Sequence, residues 1–303
     1  MTTKKTKIEW SQRTWNPILG CSMLSAGCAK CYAMKQVATY TDPVQKEIYK
    51  PYVSNSPWAG PRWTGAVALH PDQHVLTEPY RWKASTIFVN SLSDMFHEKL
   101  TFEEIGGLFG IMAGTPQHTY QVLTKRAARM RAFFAFLNAQ ASTDRGRREV
   151  LDTFARALIA KLPGNHVFLE TTDAWPLPNV WLGTSVEDSK AIARIEHLRA
   201  CPAAVRFLSC EPLLEELDAS ELNAQLQFQL EHVSESDVHW VIVGAESGTD
   251  ARPMEEVWVA KIRDSCQRYH IPFFYKQRVD NGKKISLPLL QGRVWQEMPR
   301  ASK

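Results

Sequence analysis

At 303 residues the chain is long enough for one large α/β domain or two ordinary ones. Hydrophobic residues at 44% and charged residues at 22% are globular proportions, which excludes disorder as the default state. A net charge of +4 permits a phosphate-bearing partner without requiring one, and no apolar run approaches the roughly 20 residues that cross a bilayer.

Residues 1–7 are positively charged, but Ile8-Glu9-Trp10 follows where a secretion signal needs an apolar core. A cytoplasmic location is therefore expected. In a reducing compartment, clustered cysteines point to metal binding or catalysis before disulfides. Cys21, Cys28 and Cys31 are clustered; Cys201, Cys210 and Cys266 are scattered and read as small buried hydrophobes.

After the cysteines, residues 34–85 hold Pro43, Pro51, Pro57, Pro61, Pro71 and Pro79 together with Trp58, Trp63 and Trp82. That is too proline-rich for regular barrel elements and too aromatic for a disordered linker. A folded insertion is expected, serving as a lid or platform near a site. Six short apolar runs follow: Thr86–Asn90, Tyr120–Thr124, Val180–Thr184, Val205–Ser209, Trp240–Gly244 and Pro272–Lys276. Val167–Glu170 is a weaker one. Mostly continuous, these runs fit strands buried on both faces, as in a parallel sheet.

Helical patterns separate them. Thr101 and Glu104 have the spacing of a capping box ahead of an apolar stretch to Ala113. Residues 126–161 are helical in period, with a break near Ser142–Arg147, and further helices span roughly 188–200, 213–231 and 255–269. Such alternation predicts βαβ units and a complete or partial parallel β/α barrel in one domain, its core over 86–277 and a C-terminal extension over 278–303 anchored by Trp295. An open doubly wound sheet is the alternative. The basic runs 125–131 and 145–148 read as a solvated helix face and a loop, or as a nucleic-acid contact.

The runs end in polar residues. Asn90, Ser91, Ser93 and Asp94 follow the first, and Lys125 and Arg126 the second. Ser185 and Glu187, Glu211, Glu246, and Lys276 with Gln277 follow the other four. Loops after strand C-termini build the active sites of β/α folds, so this set reads as one rim. Plain helix N-caps account for some members.

The segment from Trp15 to Ala33 carries Gly20-Cys21, Gly27-Cys28 and Cys31-Tyr32. Three thiolates on one loop suit zinc or an iron–sulfur cluster. A structural zinc takes four ligands, and only His70 or His74 could add a fourth. A cubane cluster with three thiolates keeps one iron open.

In its three loop cysteines, with Tyr32 beside the last, the chain resembles the radical S-adenosylmethionine superfamily, although six residues rather than three separate the first two. Further motifs are Thr14-Trp15-Asn16-Pro17, Asn90-Ser91-Leu92-Ser93-Asp94-Met95-Phe96, Leu123-Thr124-Lys125-Arg126, Trp181–Glu187, Ser209-Cys210-Glu211-Pro212-Leu213, Val243–Gly248 and Phe274-Tyr275-Lys276-Gln277. With these the chain is similar to a phage-associated, radical-SAM-like family of unknown function. The resemblance implies a [4Fe–4S] cluster on Cys21, Cys28 and Cys31, with S-adenosylmethionine on its open iron.

It further implies cofactor contacts from Tyr32 and Asn90. Ser91, Ser93 and Asp94 would serve the cofactor's ammonium, Lys125 or Arg126 its carboxylate, and Ser185 and Glu187 its ribose. Glu211, Glu246, Lys276 and Gln277 are left for substrate or for supporting roles. A flavodoxin or ferredoxin would supply electrons, and the substrate could be a nucleic acid or nucleotide. The competing reading is a metal-stabilised nucleic-acid-binding protein without catalysis.

Overall fold

The computed structural model describes residues 6, 8–58, 60–160, 174–226 and 237–299. Eight strands form its main sheet: β1 (Arg13–Trp15), β2 (Thr86–Val89), β3 (Thr119–Thr124), β4 (Val180–Ser185), β5 (Val205–Cys210), β6 (Trp240–Gly244), β7 (Phe273–Asp280) and β8 (Lys283–Ser286). Order in the sheet follows order in the chain, with β1 and β8 as its edges. The first seven strands pair in parallel, and β8 returns antiparallel to β7.

That order removes the doubly wound alternative, which needs a reversal of strand order at a switch point. Instead the sheet curls in one direction and stops short of closure, leaving a half-barrel. At the seam, Glu9 accepts a hydrogen bond from Ser286 (2.6 Å) and pairs with Lys284 (2.7 Å) on β8.

Strands β2–β6 and the first half of β7 bury both faces, which is why their sequences read as continuous apolar runs. On the outer face Ile87, Val89, Val122, Leu182, Leu208, Val241 and Val243 join the large core under the helices. On the inner face Phe88, Trp181, Phe207, Trp240 and Phe274 close around Trp10. Trp10 meets Phe88 edge-on at 4.8 Å between centroids and Trp240 at 6.0 Å, the arrangement that ring quadrupoles prefer. Gly183 leaves room for the Phe207 ring, since a β-carbon there would stand 2.4 Å from it. The inner face is thus a solid aromatic plug. Two or four residues further along the strands, the same alternation puts Asn90, Lys125, Ser185, Glu211 and Lys276 above it.

Helix Phe102–Ala113 starts with the expected capping box: Thr101 and Glu104 exchange hydrogen bonds of 2.8 and 3.1 Å. It lies close against helix Asp144–Ile159, where a β-carbon on Gly110 would stand 2.2 Å from the carbonyl oxygen of Leu151. The break in the 126–161 region is confined to 141–143, between helices Ala127–Gln140 and Asp144–Ile159. Thr143 accepts from the Gly146 amide and caps the second helix, so Arg145–Arg148 are helical rather than a loop. The expected helix over 255–269 is Glu256–Arg268. That over 188–200 is reduced to a 3-10 turn at Ser189–Ala191 and a helix at Arg194–Arg199. That over 213–231 starts only at Ala219, with residues 227–231 outside the described residues. Val167–Glu170 lies outside the described residues.

Within 34–85 a hairpin of Val53–Ser56 and Gly60–Trp63 and a helix over Pro43–Tyr49 pack around Leu19, Ala33, Val37, Tyr49 and Leu92. Beyond Lys276, β7 continues to Asp280 and turns at Asn281 and Gly282, both at positive φ. Trp295 packs on Phe273 and anchors the tail. Among the described residues, no helix is long and apolar enough to cross a membrane.

Trp240 sits fully buried at the centre of the plug. Trp240→Ala is expected to lower unfolding free energy by about 3–5 kcal/mol in urea titrations, the cost of an aromatic cavity. Trp58→Ala, at a side chain 97% exposed, should stay within about 0.5 kcal/mol.

Candidate functional site

Above the plug, at the C-terminal ends of β2–β7, lies an open cavity of about 190 Å³. Phe88 forms its floor, and Trp63 from the 34–85 hairpin lines one wall. Cys21, Cys28 and Cys31 all face it. So do Tyr32, Asn90, Ser91, Ser93, Asp94, Lys125, Arg126, Ser185, Glu211, Glu246, Lys276 and Gln277. Of the residues expected at the rim, Glu187 alone does not line the cavity.

The charged rim residues mostly grip the cysteine loop. Asp94 is buried, with one carboxylate oxygen accepting from the Phe96 amide (3.0 Å) and the Thr124 hydroxyl (2.7 Å). Its other oxygen accepts from the Lys125 amide (3.1 Å) and the Arg126 guanidinium (3.2 Å). Four donors fill a carboxylate's four lone-pair positions. Arg126, aligned by that contact, pairs with Glu98 and donates to the Ser22 carbonyl (3.2 Å) and hydroxyl (2.8 Å), and its guanidinium reaches the Cys21 sulfur at 3.9 Å. His97 completes the grip with a 2.8 Å contact to the Ser22 hydroxyl.

Glu187 holds the middle of the loop from below. It accepts a hydrogen bond from the Ser25 hydroxyl, packs under Gly27, and pairs with Arg194 (2.8 Å) and Lys125 (3.4 Å). Burial by itself raises the Glu187 carboxyl, but Lys125, Arg194 and Ser25 outweigh it and hold it below its ordinary value. A third grip comes from beyond β6: Arg252 pairs with Glu246 and donates to the Ala26 carbonyl (3.0 Å). Asp250 meets Lys35 at 2.6 Å and Lys30 at 3.8 Å.

Asp94, Arg126 and Glu187, expected at a cofactor's ammonium, carboxylate and ribose, are therefore occupied in fixing the thiols. Ser22, Ser25, Glu98, Arg194, Asp250 and Arg252 were not among the expected residues. Ser22 and Ser25 carried a signal, two hydroxyls inside the long interval between the first two cysteines. The arginines carried none: they pair with Glu187 and Glu246, seven and six residues away, across turns that no periodic pattern marks.

The thiols differ in setting. Burial, with help from the Asp94 charge and against Arg126, pushes Cys21 up to about 12. Cys31 opens helix Tyr32–Ala38, and the nearby Met34 and Ala33 amides favour its thiolate, yet burial outweighs them and raises it. Without a cation the two are held as neutral thiols; a bound metal would ionise them. Among the described residues, no group of three or more His, Cys, Asp or Glu is gathered closely enough to hold a metal ion. His70 and His74 do not line the cavity, and His70 accepts from the Asp72 amide.

Several polar atoms on the cavity wall have no protein partner. They are both side-chain ends of buried Asn90, the Ser93 hydroxyl and Oε1 of buried Gln277. Asn90 adopts a left-handed φ of 59° as the chain turns off β2. Gln277 donates to the Ala245 carbonyl (2.7 Å) and the Ser247 hydroxyl (2.8 Å), which leaves its oxygen free. An unmatched buried polar atom costs about 1–3 kcal/mol, so a polar ligand here would offset a standing penalty. Beside Gln277, Lys276 pairs with Glu211 at 2.8 Å.

The two basic runs are engaged locally. Arg129 lies over the Phe102 ring and donates to the Leu100 carbonyl, while Arg145 and Arg147 pair with Glu149 and Asp144.

Fold and site together define an open parallel β/α half-barrel with a thiol-edged polar cavity at the C-terminal ends of its strands. The chain belongs to the DUF5131 family, described as a protein of unknown function, whose family model matches residues 5–299. No curated protein and no solved structure matches it.

Removing Arg126 strands a buried Asp94 charge, so Arg126→Ala is expected to cost about 3–5 kcal/mol by chemical denaturation. Arg145→Ala, in an exposed helix pair, should cost less than about 1 kcal/mol. Glu187 has a folded pKa below its ordinary 4.5, so the unfolded chain takes up its proton first as pH falls. Its stabilisation is full above pH 4.5 and is lost as pH falls through the lower folded value. Glu187→Gln should flatten that acid limb in a pH series of melting temperatures.

Proposed function

We propose that the protein is a radical S-adenosylmethionine enzyme whose [4Fe–4S] cluster is held by Cys21, Cys28 and Cys31. The observation that carries this reading is three cysteine thiols on the edge of one cavity whose remaining wall holds unmatched polar atoms. Three thiols that face one space without converging on a point suit a polynuclear cluster, which offers each thiolate its own iron, better than one tetrahedral ion. When bound, the cluster would supply an open iron for S-adenosylmethionine and the electron that splits it into methionine and a hydrogen-abstracting 5′-deoxyadenosyl radical.

The chain's own residues have the remaining tasks. Arg126, Glu187 and Arg252 fix the loop so that its sulfurs keep one orientation. Asn90 and Ser93 offer free donors and acceptors to the amino-acid end of the cofactor, with Ser91 and Ser185 alongside. With Arg126 committed to the loop, Lys125, which lines the cavity while pairing with Glu187 at its edge, is the cation nearest to hand for the cofactor's carboxylate. Tyr32 donates to the Ser91 carbonyl at 2.6 Å and ties the last cysteine to the end of β2. Glu211, Lys276 and Gln277 face the space left for substrate. Below them the aromatic plug keeps water from entering through the barrel floor. The electron comes from a flavodoxin or ferredoxin.

Anaerobic purification should give a brown protein with iron and acid-labile sulfide in equal amounts. Dithionite and S-adenosylmethionine should then release 5′-deoxyadenosine, with release abolished in Cys28→Ala. Stoichiometric zinc and no cleavage would sink the proposal.

A further inference from the structure

Met23 and Leu24 lie in the six-residue interval between Cys21 and Cys28, and they are 46% and 48% exposed. Their neighbours in that interval are fastened: Ser22 by Arg126 and His97, Ser25 by Glu187, and Ala26 by Arg252. A loop held at those points cannot turn the two side chains inward. Two large apolar groups therefore stay in water, on the same short loop as the three thiols. Lys30 on that loop and Lys35 on the helix that follows it share the single acid Asp250, so this edge keeps an excess of positive charge.

We infer that Met23 and Leu24 are the docking point for the electron donor, an acidic carrier protein of the flavodoxin or ferredoxin type. The inference rests on the function proposed above. Electron transfer weakens steeply with distance, so a carrier must seat on the loop that holds the cluster ligands. A small apolar contact beside unbalanced lysines suits the small, short-lived interfaces of electron-transfer partners, where opposite charge speeds encounter. In the transfer one electron leaves the anionic flavin hydroquinone, which becomes the neutral semiquinone, and the cluster passes from 2+ to 1+. No bond forms or breaks, and no proton moves.

The test is a Met23→Asp/Leu24→Asp double variant, with flavodoxin as the probe. The affinity of metal-free protein for oxidised flavodoxin should weaken about tenfold or more, the effect of removing a central apolar anchor. In the reconstituted protein, bleaching of visible absorption by reduced flavodoxin should slow to a similar degree, while bleaching by dithionite keeps its native rate. Lys30→Glu should lower the association rate and flatten its salt dependence. Native flavodoxin affinity in the double variant, or no flavodoxin binding by the native protein, overturns the inference. If the protein holds no iron, the function proposed above fails, and the metal-free titration still decides whether this edge is a docking surface.

Discussion

The buried pair of Asp94 and Arg126 is the contact on which the upper half of the molecule depends. Asp94 draws together the turn after β2 and the end of β3, and the guanidinium it aligns reaches out to Ser22 and Cys21. Neither charge would be tolerated there alone, because desolvation of one is offset only by the other and by a full set of hydrogen bonds. The cysteine loop has almost no regular structure of its own, only a single 3-10 turn at Ala26–Cys28. Its shape is imposed by the barrel rim.

The same economy extends around the rim. Glu187 from the end of β4, with Arg194 beside it, and Arg252, aligned by Glu246 at the end of β6, hold the loop at two further points. A loop gripped at three places is pre-organised, so binding a ligand need not also order it. The cavity wall is built in the opposite way. Asn90, Ser93 and Gln277 keep polar atoms unmatched at a cost to the empty protein. Stability is spent on one side of the cavity and withheld on the other.

Much of this was legible in the residues. The strand runs were visible because both faces are buried, which gives continuous apolar stretches, and the polar residues that end them fell onto one rim. Thr101 and Glu104 announced a helix start through chemistry local to four residues. β1 was not legible, since its three residues hold one apolar side chain, Trp15, and the strand is recognised only by its pairing with β2. The Asn281-Gly282 turn carried a clear local signal that the apolar pattern alone passes over. The tasks of Asp94, Arg126 and Glu187 could not be read from position. Whether a carboxylate at a strand end faces a cavity or a neighbouring loop depends on partners more than a hundred residues away in the chain, as with Ser25 and Glu187.

The half-barrel also has to live with two unpaired strand edges. An exposed edge is a template for another chain, and long flat ones lead to aggregation. Here β1 is only three residues long, and β8 carries Lys283 and Lys284 on its four-residue length. A second copy approaching β8 would have to bury or displace ammonium groups, one of them already paired with Glu9. The ionic stitch that holds the seam together within one molecule thus also discourages strand exchange between molecules, and an incomplete barrel can remain a separate particle.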